Sequence, residues 1–235
     1  MIPGRCVSDS QTNQRRGIKS YVLRQGRLTP GQQHALAELW PRFGLEAADG
    51  FIEAESPFGR SAPLVVEIGF GMGDSLIAQA LANPHIDYIG VEVHKPGVGH
   101  LLMSMRDHGC ENIRVFSEDS LDVLRLAIPA HSLDVVQLFF PDPWPKKKHH
   151  KRRIVNAGFA DLLVSRLAPG GLFHFATDWE PYAEAVEELF VDYDAWAPAA
   201  APVRPETKFE RRGKKLGHRI RDLAYRVRRP AAAAH

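Results

Sequence analysis

The chain has 235 residues, 30 Lys and Arg against 28 Asp and Glu, 44% hydrophobic residues and only two cysteines. That suits one α/β domain able to bury a sizeable core and excludes a disordered or collagen-like chain. Cys6 and Cys110 are too few for a disulfide framework or a four-thiolate zinc site, and no apolar run approaches the ~18 residues that span a membrane.

The first 20 residues are polar and show no basic-then-apolar leader, so a cytoplasmic protein is expected. Thr29-Pro30 reads as an N-cap with proline at the first helical position, predicting a helix to about Trp40. Leu64-Val65-Val66-Glu67-Ile68 is a short β-rich run that stops at Gly69, and a helix follows over 74–82. The same alternation repeats: strand 88–93 with helix 98–108, strand 113–116 with helix 120–126, strand 133–140 with helix 154–167, strand 172–176 with helix 182–190. Strand 133–140 is almost wholly apolar, as a strand buried on both faces must be. Pro169-Gly170-Gly171 reads as the end of the fourth of these helices, residues 195–205 as an Ala/Pro-rich connecting loop, and 222–227 as a late edge strand. Strands alternating with helices imply a parallel sheet wound on both faces. The organisation expected is a basic arm and helix over 1–42, one domain over 43–229 and a tail over 230–235.

Charge is distributed unevenly. Residues 1–42 carry a net +5, 141–160 another +5 and 204–229 a net +8, so the remainder carries −16. An acidic scaffold with three basic segments points to a polyanion, and two of those segments flank motifs that carry chemistry.

The first motif is Glu67-Ile68-Gly69-Phe70-Gly71-Met72-Gly73, between the first of these strands and its helix. Glycines there allow a tight turn and close approach of the backbone to a ligand. Glu92 follows at the end of the next strand, where an acid accepts hydrogen bonds from ribose hydroxyls. Both NAD and S-adenosylmethionine carry that ribose. The G-x-G-x-G spacing and the flanking acids Glu67 and Asp74 disfavour a diphosphate and suit a ligand with an ammonium and a sulfonium. Asp119 is placed to receive the adenine amino group or to cap helix 120–126, and the two roles are compatible.

The second motif is Phe140-Pro141-Asp142-Pro143-Trp144-Pro145. It lies after the fourth strand, beside the expected switch point of the sheet, and its prolines stiffen the loop that presents Asp142 and Trp144. Lys146-Lys147-Lys148-His149-His150-Lys151-Arg152-Arg153 follows and can neutralise several phosphates at once. Adjacent histidines among cations are a poor metal site, and no metal is expected.

These motifs, with Gly-Val-Glu-Val-His at 90–94, Pro-Gly-Val-Gly at 96–99, Ala-Thr-Asp-Trp at 176–179, Thr-Lys-Phe-Glu at 207–210 and Arg-Gly-Lys-Lys-Leu-Gly-His at 212–218, occur in order over about residues 20–226. The chain resembles the bacterial tRNA (guanine-N7)-methyltransferases. The glycine loop is generic to methyltransferases, whereas the 141–153 run and Thr-Lys-Phe-Glu are specific. Lys148 stands where arginine is more usual, and Lys19-Ser20-Tyr21 where Arg-Ser-Phe is common.

The resemblance implies a Rossmann-like class I fold, a mostly parallel seven-stranded sheet whose last strand is antiparallel, with helices on both faces. It implies methyl transfer from S-adenosylmethionine to guanine N7 in the tRNA variable loop, usually at guanine 46, leaving S-adenosylhomocysteine. By the same resemblance Glu67, Gly69, Gly71, Gly73, Glu92, Asp119 and Asp142 bind the donor, with Asp142 at the reaction centre. Lys146, Asp178, Thr207, Lys208, Phe209 and Glu210 match substrate-binding positions. Lys148, His149, His150, Lys151, Arg152 and Arg153 match an RNA-contacting stretch. The partner is tRNA and not a membrane, and a monomer is expected, with a dimer left open.

The residues themselves add detail. Guanine N7 offers an in-plane lone pair, so alignment matters more than a strong base. A carboxylate beside the guanine can take its N1–H and amino hydrogens and balance the developing cation; Asp142 is the first candidate and Asp178 the second. Trp144 is either a stacking face for an extruded base or a residue packed against the sheet. Lys208, Arg211, Arg212, Lys214 and Lys215 form a candidate phosphate clamp, and Arg15, Arg16, Lys19, Arg24 and Arg27 a candidate arm. Three rival readings compete: an NAD-dependent oxidoreductase, an exocyclic-amine methyltransferase and a non-catalytic RNA binder. The glycine spacing disfavours the first. The lack of a second proline directly before Trp144 disfavours the second. The retained acids Glu67, Glu92 and Asp119 disfavour the third.

Overall fold

The computed structural model describes residues 20–21, 26–53 and 57–228. The expectations for Arg15, Arg16, Lys19 and Arg24 of the arm, and for the tail, lie outside them. Thr29 caps α1 (Pro30–Phe43) through a reciprocal capping box: its hydroxyl accepts from the Gln32 N–H while the Gln32 side chain accepts from the Thr29 N–H. After the two-residue β1 (Gly44–Leu45), strands and helices alternate: β2 (Leu64–Ile68), α2 (Asp74–Ala82), β3 (Asp87–Val91), α3 (Lys95–His108), β4 (Ile113–Phe116), α4 (Ser120–Leu126) and β5 (Leu133–Phe139). A 3-10 turn (Lys147–Arg152) leads to α5 (Ala157–Arg166), β6 (Leu167–Thr177), α6 (Glu180–Val191), β7 (Trp196–Ala199), α7 (Lys208–Lys215) and β8 (Arg221–Val227).

The strands form one sheet in the order β1-β4-β3-β2-β5-β6-β8-β7. The chain turns back at β2, so β2 and β5 are parallel neighbours that flank the switch point. Pairing is parallel from β1 through β6, and β8 runs antiparallel to both β6 and β7. The class I fold is therefore present with its antiparallel strand, and β1 adds an eighth strand at the β4 edge.

Alternation along the strands supplies both faces. Val66, Ile89 and Phe173 pack with α4, α5 and α6, while Val65, Tyr88 and Val115 pack with α1, α2 and α3. Among the described residues no helix is long and apolar enough to cross a membrane.

Three sequence expectations change. Residues 196–199 are not loop but β7, with Trp196 1% exposed against Phe173 and Phe190. β8 is consequently an interior strand, not an edge. Pro169-Gly170-Gly171 does follow the end of α5, but these residues already belong to β6, where the pairing with β5 is irregular.

Candidate active site

The glycine loop opens directly from the end of β2. Gly69, Gly71 and Gly73 all take left-handed conformations, with φ of 73°, 61° and 83°, which side chains with a Cβ resist. Gly97 of α3 lies against the loop so closely that a Cβ there would stand 2.0 Å from the Gly71 carbonyl oxygen. Two adjoining cavities open beyond the carboxyl ends of the strands, one of about 350 Å³ and one of about 380 Å³. Gly69, Gly71, His94, Phe139 and Phe209 line both, so the two are halves of one crevice.

Glu92 and Asp142 line the first half. The Glu92 carboxylate is held in place by two backbone donors, Gly71 N–H and His94 N–H, each at 2.9 Å. Glu67 lines the second half and is 3% exposed. One oxygen accepts from Gln79 Nε2 at 3.2 Å, and Gln79 in turn accepts from Gln137 Nε2 at 2.8 Å. Burial pushes the Glu67 carboxyl up to about 8, against the opposing charge of Arg204 and the hydrogen bond from Gln79. Gln137 Oε1 is buried without a hydrogen-bond partner among the described residues. A cation bound beside Glu67 would favour its ionised form. Asp119 takes its capping role, accepting from Leu121 N–H at 3.0 Å, and its neighbours Glu118 and Ser120 line the cavity instead.

The stiff loop after β5 is bracketed by strain. Phe140 and Trp144 both adopt positive φ, 52° and 44°, which is uncommon for large side chains and lifts Asp142 between them to the mouth of the crevice. The Trp144 ring carries the Arg152 guanidinium 3.9 Å from its centroid and stacks on His149 at 5.9 Å, and its Nε1 donates to the Ser20 carbonyl. The ring thus packs on the basic turn rather than on the sheet residues expected of a packing role. Partial burial and the cations of Lys148, Arg152, Lys146 and Lys151 depress the His149 imidazole. Among the described residues no group of three or more His, Cys, Asp or Glu could hold a metal ion.

A family model described as "Putative methyltransferase" matches residues 61–223. The tRNA (guanine-N(7)-)-methyltransferase of Chromohalobacter salexigens is 54% identical over 220 residues, covering 89% of each chain. Those of Alcanivorax borkumensis and Escherichia coli (strain UTI89) are 52% and 50% identical, covering 91% and 89% of this chain and 92% and 91% of theirs. The chain belongs to the tRNA (guanine-N7)-methyltransferase family. The fold is shared with the 16S rRNA methyltransferase KamB at a TM-score of 0.57 and 16% identity, over 76% of this chain and 94% of that one. It is shared too with the Catenulisporales acidiphilia 16S rRNA (adenine(1408)-N(1))-methyltransferase solved with SAM, at 0.52 and 14%, over 81% and 95%.

The other family positions fall into two groups. Thr207, Lys208 and Phe209 line the crevice from α7, Thr207 also capping that helix, and Phe209 is 55% exposed. Lys146, Lys147, Lys148 and Lys151 are exposed on the basic turn, and His149, His150 and Arg152 are half-buried. Arg153 departs from its expected RNA-contacting role: it is 7% exposed and turned inward, donating to the Pro143 and Pro181 carbonyls over the Tyr182 ring. Asp178 does not line either half of the crevice; its carboxylate accepts from His218 Nδ1 and packs on Gly213. Lys214, half-exposed, pairs with Glu206 and Glu210. Residues the sequence reading passed over are His94, Glu118 and Arg204. His94 sits in the Gly-Val-Glu-Val-His run, which marks it; nothing in the local pattern around Arg204 does.

Proposed function

We infer that this chain transfers a methyl group from S-adenosylmethionine to N7 of a tRNA guanine, at guanine 46 of the variable loop. The observation that carries the reading is the convergence of Glu67, Glu92 and Asp142 on one crevice at the switch point, with the basic turn at its mouth. The residues fit the donor. Glu92, its oxygens fixed by two backbone N–H groups, faces ribose hydroxyls, and buried Glu67 receives the ammonium end. When bound, the donor supplies an electrophilic methyl on a sulfonium. Asp142 accepts hydrogen bonds from the guanine N1–H and amino group and balances positive charge as it moves onto the imidazole ring. No proton leaves N7, so Asp142 acts by orientation and charge rather than as a base. Lys147, Lys148 and Lys151 hold phosphates, and the exposed Phe209 ring supports the base that enters. Identity to guanine-N7 relatives supports the atom assigned. The test is incubation of unmodified tRNA with labelled S-adenosylmethionine, followed by nucleoside analysis and mapping of the site. 7-Methylguanosine at position 46 supports the reading; label at another nucleoside or atom refutes it.

A further inference from the structure

The eight-residue α7 carries Lys208 and Phe209 to the crevice, yet it has no apolar face to hold it there. Its buried residues are Glu210 and Gly213 alone. A helix this short is unstable in water, so its position must come from elsewhere. Gly213 sits where a Cβ would come within 2.8 Å of Asp178 Oδ2, which fixes how closely the helix approaches but supplies little attraction.

Attraction comes from Arg204, whose side chain is 6% exposed. Its Nη1 donates to Glu210 Oε2 at 2.6 Å, while Nε and Nη2 form a two-pronged contact with Asp222 of β8 at 2.7 and 2.9 Å. The guanidinium lies over the Phe139 and Phe140 rings, at the root of the Asp142 loop. Asp222 also accepts from His174 of β6, which is fully buried. Burial opposes ionisation of both acids. Lys214 and Arg204 hold Glu210 below its ordinary value, and His174 and Arg204 do the same for Asp222. Both Glu210 oxygens already hold a cation, Arg204 on one and Lys214 on the other at 2.7 Å. One guanidinium therefore ties α7, β8 and the end of β5 together.

We propose that Arg204 is a positioning residue for methyl transfer, and that Glu210 acts through it by anchoring α7 rather than by touching the guanine. The proposal rests on the crevice being the transfer site, but its anchoring half stands apart from activity.

The test uses Arg204→Met, Arg204→Lys, Glu210→Gln and the Arg204→Met/Glu210→Gln double variant. Steady-state kinetics with tRNA and hydrogen exchange over 208–215 are measured on each. Arg204→Met and Glu210→Gln should each lower kcat/KM by roughly 10–100-fold, the scale of a misplacement near 1 Å. The double variant should be no worse than the poorer single one, because both break the same anchor. Arg204→Lys should recover part of the loss. Exchange in α7 should rise about tenfold or more while the protection of β2 and β5 stays unchanged. Multiplying losses in the double variant would mean that Glu210 meets the substrate itself and would overturn the proposal. So would unchanged α7 exchange. If Arg204→Met does not fold, Arg204→Lys and Glu210→Gln carry the test. Should wild type show no transfer to tRNA, the functional reading fails while the exchange measurement still decides the anchor.

Discussion

Glu67→Gln keeps the shape of a buried side chain and removes its titration. The carboxyl is 3% exposed and sits at about 8 instead of 4.5. Between those values the folded protein keeps the proton while the unfolded chain releases it. Stability is therefore lost as pH rises through that window. At pH 7 the loss has an upper value of about 3 kcal/mol, from roughly 1.4 kcal/mol per pH unit above the unfolded value. The glutamine variant escapes it. Its thermal midpoint at pH 7 should exceed that of wild type by on the order of 6–12 °C, and the gap should close near pH 4. Binding should change in the opposite sense. A bound cation lets Glu67 ionise, so wild type should release about one proton per S-adenosylmethionine at pH 7 and the variant none. Donor affinity should fall roughly 10–100-fold in the variant, the weight of a charge-assisted hydrogen bond. Thermal melts across pH 4–8 and calorimetry in two buffers of different ionisation enthalpy read these effects. A variant no more stable than wild type at pH 7, with proton release intact, would refute the reasoning.

Asp142→Asn should lower kcat about 100-fold or more while leaving donor affinity within about threefold, as expected for a group that acts on the guanine; a matching loss of donor affinity would move Asp142 into the donor site. Lys147→Ala with Lys148→Ala should reduce the salt slope of tRNA affinity by about 1–2, and an unchanged slope would remove these lysines from phosphate contact. Gly97→Ala forces a methyl against the Gly71 carbonyl and should cost about 1–3 kcal/mol in denaturant unfolding, with weaker donor binding; full stability would show that the loop is not held there.

Short apolar runs made β2 and β4 legible to the residue, since both of their faces are buried, and apolar faces turned to the sheet did the same for α2 and α4. The glycine loop and the Asp142 loop were legible for another reason: left-handed turns and stiff loops need particular residues. α7 was not legible, since a helix whose buried side is Glu210 and Gly213 has no hydrophobic period to detect. β7 was hidden by its Ala/Pro composition; its proline suits an edge strand, which need not donate on its outer side. Arg204 escaped because its partners Glu210, Asp222 and the Phe139 ring meet only in the folded chain. Arg153 shows the converse: sequence marks a cation, but the fold decides whether it faces solvent or an internal partner.

The central claim is that the methyl group goes to guanine N7 of tRNA. It is tested most directly with two transcripts of one tRNA, made with guanosine or with 7-deazaguanosine, each incubated with labelled S-adenosylmethionine. Label is expected in the first, recovered as 7-methylguanosine, and none in the second, which lacks the accepting nitrogen. Equal labelling of both transcripts would contradict it.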